Sequence, residues 1–498
     1  MNFANVLDLA AGNAPVKPAV SDTDILHTYR ALKARTNAAA NAFTDIGVES
    51  DERVGICLTN SLELLTAHLG AMKRGAVPVP LNTQFSPSQI RHTLDASDVS
   101  VLVTDDSFAE VAGDVEVPIT VDGSVGEDFH DLLAAADDDY EVCPRRSDEL
   151  AEVFYTSGTT GQPKGVRHTH GNLLSNALGI VNYLNLTRQD VGLTVCQCFH
   201  VTGLNVTTTP LLYTGAANHL LPAFDPETVF ATVENHRVTY AFLTPSMLID
   251  LLDHPARDHY DLSSLETVGV GGAPLPKGRF HEAEETLDCA VLEGYGMTET
   301  TPLAAFNRPD PTPRKPGSVG PVAREVVALR VEHLETGESV SPGERGELLW
   351  RGDTVTPGYE RPQNDRKAFV ERDGVRWLRS GDIGWVDDDD HLFIVDRRED
   401  MFTTGCANVY PREIEDVLYD IEGVESAAVI DARDDLRGAV VTAIITRSGD
   451  LSRERIREVC AAALDEHEVP QRIEFVDEIP QTVTGKVNRV ALRESYGG

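Results

Sequence analysis

Residues 155–165 read YTSGTTGQPKG. Gly158 and Gly161 permit tight backbone turns, Thr156, Ser157, Thr159 and Thr160 bring hydroxyl groups, and Lys164 brings one cation in a Gly/Pro frame. Such a loop can wrap phosphate oxygens with backbone N–H groups, hydroxyls and an ammonium. A solvated Gly/Ser/Thr linker has a similar composition. Its place directly after the strand-like run LAEVFYTSG favours ligand binding. It is not a Walker loop, because Lys164 follows Pro163 and precedes Gly165. GVGGAP and GYGMTE fail the dinucleotide pattern, with Pro274 and Glu299 standing where the third glycine belongs.

Other chemistry-bearing residues are scattered. Thr298 and Glu299 in MTE read, taken alone, as a helix cap with an acid in the first turn. Asp382 in SGDIG reads as a turn residue between strands, and Lys486 in TVTGK as a lysine after a glycine turn. HTH at 168–170 is placed on a loop leading into a helix, where metal binding is not expected. Seven cysteines without a CxxC pair indicate neither a zinc site nor a disulfide framework.

The elements that must position these residues alternate. DILHTYRALKARTNAAANAFTDIG places Leu26, Tyr29, Leu32 and Phe43 at helical spacing; RVGICLTN and AVPVPLN are strands around the helical SLELLTAHLGAMKRG. SPSQIRHTLDAS opens with a capping box, Ser86 to Gln89, and Pro87 in the first turn. The rhythm resumes after Tyr155 with GNLLSNALGIVNYLN as a helix, VGLTVCQCF as a strand and DPETVFATVENHRV as a helix capped by Asp225. This βαβ order predicts mostly parallel sheets with helices on their faces. From about 314 to 395, short strands such as VVALRVEH, GELLWRG and HLFIVD predict an antiparallel sheet or small barrel. DRREDMF reads as a charged connector to a compact α+β tail of about a hundred residues.

With 498 residues the chain is long enough for two or more domains. The N-terminus lacks a signal-peptide pattern and no apolar run can span a bilayer, so a cytoplasmic protein is expected. Eighty acidic against 43 basic residues give a net charge of −37, which opposes binding to nucleic acid or anionic membranes. The acids are dispersed, as in DLLAAADDDYE and WVDDDDH. Such a surface is similar to those of proteins from organisms with molar salt in their cytoplasm, where the Debye length is about 3 Å.

YTSGTTGQPKGV, GGAPLP at 271–276, GYGMTET at 294–300, SGDIG at 380–384, VDR at 395–397 and TVTGK at 482–486 occur in one order along nearly the whole chain. Together they resemble the core motifs of the adenylate-forming superfamily: acyl- and aryl-CoA synthetases, peptide-synthetase adenylation domains and luciferases. The resemblance implies a large N-terminal domain over 1–395, with two doubly wound α/β subdomains over about 1–313 and a small β-barrel over 314–395. A hinge linker at 396–400 around Glu399 and a small mobile α+β lid over 401–498 would follow. It implies that Thr156 to Lys164 hold the β- and γ-phosphates of ATP and that Gly272, Ala273 and Pro274, with Gly294, Tyr295 and Gly296, frame the adenine. Thr298 would bind phosphate, Glu299 would ligate Mg²⁺, and Asp382 and Arg397 would reach the ribose. Lys486 would neutralise charge on the α-phosphate as the substrate carboxylate attacks. Rotation of the lid would then open a tunnel for coenzyme A, beside Gly405 and Cys406, where Cys406 departs from the family's second glycine.

Amino-acid-activating relatives carry Asp after the Phe of an FD pair to balance the α-ammonium charge; this chain has Phe199-His200. The residues after Lys486 are too few for a carrier domain. The expectation is therefore a freestanding fatty- or aryl-acid:CoA ligase, monomeric or homodimeric. His200 would gate an acyl pocket lined by Val201, Gly203, Leu204, Val270, Gly271 and Met297. Rival readings are loading of a separate carrier protein, luciferase-like oxidation, and non-catalytic ATP binding.

Overall fold

A computed structural model describes the chain apart from residues 23–24, 157–162, 274, 310–313, 316, 405–406, 435–437, 482–486 and 498. Two α/β sheets form its N-terminal part. One has five parallel strands in the order Val77–Pro80, Arg53–Cys57, Val99–Thr104, Val117–Thr120 and Glu127–Asp128. The other has eight: Leu303–Phe306, Ala290–Gly296, Thr267–Gly271, Tyr240–Leu243, Val191–Thr194, Ala217–Leu220, Pro18–Asp22 and Ile25–Thr28. Its interior pairs are parallel and both edge pairs antiparallel.

The helices covering these sheets carry the expected end signals. Ser86 accepts from Gln89 N while the Gln89 side chain accepts from Ser86 N, and Asp225 accepts from Thr228 N. Each cap satisfies a donor that a helix start otherwise leaves open, worth about 1 kcal/mol. One boundary is corrected. Leu26 lies on the edge strand Ile25–Thr28, and the helix begins at Tyr29, because the Thr28 side chain caps it by accepting from Ala31 N.

The region expected as a small barrel is a five-stranded antiparallel sheet whose ladder does not close among the described residues. Its long strand Val375–Val386 pairs with Phe369–Arg372 near its start, with Gly346–Gly352 along its length, and with Leu392–Arg397 near its end. Trp350 is buried in a core shared by this sheet and the larger α/β sheet, together with Leu348, Leu378, Leu292 and Phe306. That shared core fixes the antiparallel strands against the ends of the parallel ones, where ligand crevices of open α/β sheets form.

The C-terminal part has its own core. Strands Val424–Asp434, Gly438–Arg447 and Arg472–Phe475 form a sheet covered by helices Pro411–Tyr419 and Arg453–Ala463. Ile414, Leu418, Ile456 and Cys460 supply the helical side of that core. No helix among the described residues is long and apolar enough to cross a membrane.

Candidate functional site

Two paired strands flank the Gly-rich segment. Strand Leu150–Thr156 pairs antiparallel with Lys164–Thr169, so Thr156 and Lys164 face each other. HTH is therefore placed differently from expectation: His168 lies within the second strand, and His170 begins helix His170–Leu184. Gly165 is constrained by its surroundings, since a Cβ there would sit 2.8 Å from the Tyr155 ring. Ser157, Gly158, Thr159, Thr160 and Gly161 lie outside the described residues.

After strand Ala290–Gly296 the chain makes one 3₁₀ turn, Thr298–Thr300. A Cβ on Gly296 would fall 1.6 Å from Pro302 O, so the strand can fold back onto this turn only as glycine. Thr298 and Glu299 are buried. Glu299 O accepts from Thr356 N at 2.8 Å, and Glu299 Oε1 accepts from Tyr359 Oη at 2.7 Å. Burial first, then the Glu299 charge, raises the Tyr359 phenol above its usual range, so this hydroxyl stays a donor. Among the described residues Oε2 takes no hydrogen bond, which leaves an oriented carboxylate oxygen for a cation. Magnesium keeps most of its water and takes few protein oxygens. A single oriented carboxylate fits it, and no cluster of three or more His, Cys, Asp or Glu competes among the described residues.

Asp382 and Arg397 are cross-strand partners, with Arg397 Nε 3.1 Å from Asp382 Oδ1. Tyr295 Oη donates to Asp382 Oδ2, and Asp382 N donates to Ser380 Oγ at 2.9 Å. The Asp382 carboxylate raises Arg397 above its usual range against the opposing effect of burial. Burial, then Asp382, likewise raises the Tyr295 phenol. Tyr295 is a neutral donor and Arg397 a cation, both aimed at one carboxylate. Each Asp382 oxygen has a lone pair beyond these contacts, so the carboxylate can still accept two hydroxyls of a sugar. The Tyr295 ring lies 5.9 Å from Trp350, which ties the cluster to the shared core.

Thr156, Lys164, Tyr295, Thr298, Glu299, Asp382 and Arg397 thus come from strand ends and turns of three sheets. Gly272 and Ala273 follow strand Thr267–Gly271 and are exposed, while Gly294 and Gly296 end the neighbouring strand. Pro274, Gly405, Cys406 and Lys486 lie outside the described residues. Glu399 falls in a turn directly after strand Leu392–Arg397. Arg345, just before strand Gly346–Gly352, holds Glu413 of helix Pro411–Tyr419 with two contacts of 2.8 and 2.7 Å.

The expected acyl-pocket residues separate into groups. His200 is half-buried, with Nδ1 2.9 Å from Thr202 Oγ1, and Met297 is also half-buried. Val201 and Leu204 pack in one core cluster with Phe154 and Cys198, whereas Val270 packs in another with Leu243 and Leu275. Gly203 has no room for a side chain, since its Cβ would lie 2.3 Å from Cys196 O. Gly271 ends its strand beside Gly294.

Tyr359 and Thr356 are partners that motif reading did not find; no spacing rule connects them to Glu299. Glu152 was also passed over, although a lone acid inside the apolar strand LAEVFYT was a visible signal.

The model for the AMP-binding enzyme family matches residues 7–360, and that for the AMP-binding enzyme C-terminal domain matches 413–486. The chain belongs to the AMP-binding enzyme family. It is 36% identical over 476 residues to a feruloyl-CoA synthase of Amycolatopsis sp, covering 94% of each chain. It is 30% identical over 486 residues to a 4-coumarate–CoA ligase of Pinus taeda, covering 95% of this chain and 90% of that one. The solved structure of ATP-bound MatB from Rhodopseudomonas palustris superposes with a TM-score of 0.91 at 30% identity, covering 100% of this chain and 99% of that one.

Proposed function

We propose that this protein joins an aryl-substituted carboxylic acid to coenzyme A, at the cost of ATP cleaved to AMP and pyrophosphate. It is an AMP-forming acid–thiol ligase. The observation that carries the nucleotide part is the Tyr295–Asp382–Arg397 cluster, whose Tyr295 lies on the strand leading into the turn that carries Thr298 and Glu299. The aryl preference is supported by likeness to the feruloyl-CoA synthase and the 4-coumarate–CoA ligase.

In the first step the acid's carboxylate attacks the α-phosphorus of ATP, the bond to the β-phosphate oxygen breaks, and pyrophosphate leaves. In the second the CoA thiol attacks the acyl carbon, loses its proton, and AMP departs. The nucleophiles belong to the substrates, so the protein contributes position and charge. Asp382 accepts from the ribose hydroxyls while Arg397 and Tyr295 keep its carboxylate oriented. The 156–164 segment and Thr298 donate to phosphate oxygens. Mg²⁺ held at Glu299 would supply charge neutralisation on the triphosphate. Lys486, delivered by the small lobe, would do so at the α-phosphate, and turning of that lobe about Glu399 would clear the way for the thiol beside Gly405 and Cys406. His200 would close the acid-binding side.

The test is a panel of hydroxycinnamic, benzoic and fatty acids, with AMP and pyrophosphate measured with and without CoA. Hydroxycinnamic or benzoic acids are expected to give AMP that depends on CoA. Turnover confined to fatty acids overturns the aryl assignment, pyrophosphate release without thioester overturns CoA as acceptor, and silence toward every acid overturns the ligase reading.

A further inference from the structure

Against the Thr298–Thr300 turn, four polar side chains meet in the interior. They are His68 on helix Leu62–Arg74, Glu152 on strand Leu150–Thr156, His168 on strand Lys164–Thr169, and Asn205 in the π-helix Thr202–Thr208. None is more than 1% exposed. Glu152 Oε1 accepts from His168 Nδ1 at 3.0 Å and from Asn205 Nδ2 at 2.7 Å. His68 Nε2 lies 3.2 Å from Oε2, an ion-pair distance without the alignment of a hydrogen bond. The other ring nitrogen of His168, Nε2, is 2.7 Å from the backbone oxygen of Thr298.

Both neighbours of His168 are acceptors. A carbonyl oxygen cannot donate. Burial opposes ionisation of Glu152, but the hydrogen bond from His168 and the close approach of His68 prevail and hold its carboxyl down to about 2. A neutral imidazole has one N–H and one lone pair, so one contact would set lone pair against lone pair. Only the imidazolium donates to both.

A second arm leaves the same cluster. Asn176 Nδ2 donates to Asn205 O at 2.7 Å, and Asn176 Oδ1 accepts from Leu303 N at 3.2 Å. Both ends of the segment 298–303, which carries Thr298 and Glu299, are thereby tied to the surroundings of one carboxylate. A buried ion pair of this kind is weak evidence for net stability, and an apolar replacement is often as stable. Orientation of a neighbouring segment is what it supplies here.

We propose that His168, held as an imidazolium by Glu152, is a positioning residue for acyl-adenylate formation, fixing the Thr298 carbonyl and through it the Thr298 hydroxyl and the Glu299 carboxylate. The proposal rests on the reading above that this turn faces the triphosphate and its magnesium.

Two measurements test it. In the unliganded full-length protein near neutral pH, nitrogen NMR with isotope-labelled histidine should show both His168 ring nitrogens protonated, with the resonance assigned through its contact to Thr298. A singly protonated ring overturns the proposal. In His168→Leu, acyl-AMP formation per folded active site should fall about 10- to 100-fold while thioester formation from supplied acyl-AMP stays within about twofold. His168→Gln keeps an N–H for the Thr298 carbonyl and should hold acyl-AMP formation within about fivefold of the parent. Equal losses in both half-reactions, no loss in His168→Leu, or no rescue by glutamine each overturn it. The NMR result needs no substrate, so failure of the ligase reading is distinguishable from failure of this one.

Discussion

Tyr359 Oη lies 2.7 Å from Glu299 Oε1, and both side chains are buried although they are 60 residues apart in the chain. A hydroxyl donated to a buried carboxylate fixes which oxygen faces the cleft. Hydrogen bonds to charged groups are worth about 1.5–3 kcal/mol, or about 10- to 100-fold in a rate that depends on them. Tyr359→Phe is therefore expected to lower acyl-AMP formation by about tenfold or more and to raise the magnesium concentration needed for half-maximal rate. Thioester formation from supplied acyl-AMP should be preserved. An unchanged magnesium dependence would remove the carboxylate from metal binding.

Lys486 is assigned by motif. Two anions meet when a carboxylate attacks a phosphate, and one placed cation can lower such a barrier by about 3–4 kcal/mol. Lys486→Ala should reduce acyl-AMP formation by about 10²- to 10³-fold while leaving the thioester step from supplied acyl-AMP nearly intact. Matching damage to both half-reactions would contradict delivery of this lysine by a lobe that turns away before the second step.

Much of the scaffold was legible because local signals agreed with the final fold. Asp225 before Pro226, and Ser86 with Gln89, mark helix starts that the structure reproduces. Leu26 misled because helical spacing cannot tell a first turn from an exposed edge strand, and Thr28 three residues before Ala31 was the signal for the true start. The strand Lys164–Thr169 was hidden since KGVRHT lacks apolar alternation; its burial depends on Tyr359 and the Glu152 cluster, which are distant in sequence. Collinear motifs assign Asp382 and Arg397 to the same sugar, and the structure sets the two as cross-strand partners. Their third partner in this cluster, the Tyr295 hydroxyl, was assigned only to the adenine, because a hydrogen bond between two sheets leaves no local pattern.

The net charge of −37 sets a salt dependence. Ion pairs with both partners exposed, such as Arg146–Asp148 and Arg237–Asp261, are worth about 0–1 kcal/mol each, too little to offset repulsion among the remaining acids. At molar salt the Debye length falls to about 3 Å and that repulsion is screened. The melting temperature should rise from dilute buffer to molar KCl. An unchanged or lower value in KCl would show that the acidic surface does not destabilise the folded chain.

His170 ties the N-terminal segment to the hairpin, since its Nδ1 accepts from Phe3 N at 3.1 Å. An acceptor nitrogen must carry a lone pair, so the folded state needs the ring singly protonated. Burial, then the charges of Arg145 and the N-terminus, lower its pKa from 6.5 to about 4. Between these values the unfolded chain binds a proton that the folded one refuses. The stabilisation is thus complete above pH 6.5 and is lost as pH falls through 4, amounting to at most about 3 kcal/mol. Asparagine can accept from Phe3 N through its side-chain oxygen and does not titrate. His170→Asn should therefore flatten the fall in stability across this window while matching the parent near neutral pH. Urea unfolding at several pH values measures both slopes, and equal slopes would show that His170 does not couple protonation to docking of the N-terminal segment.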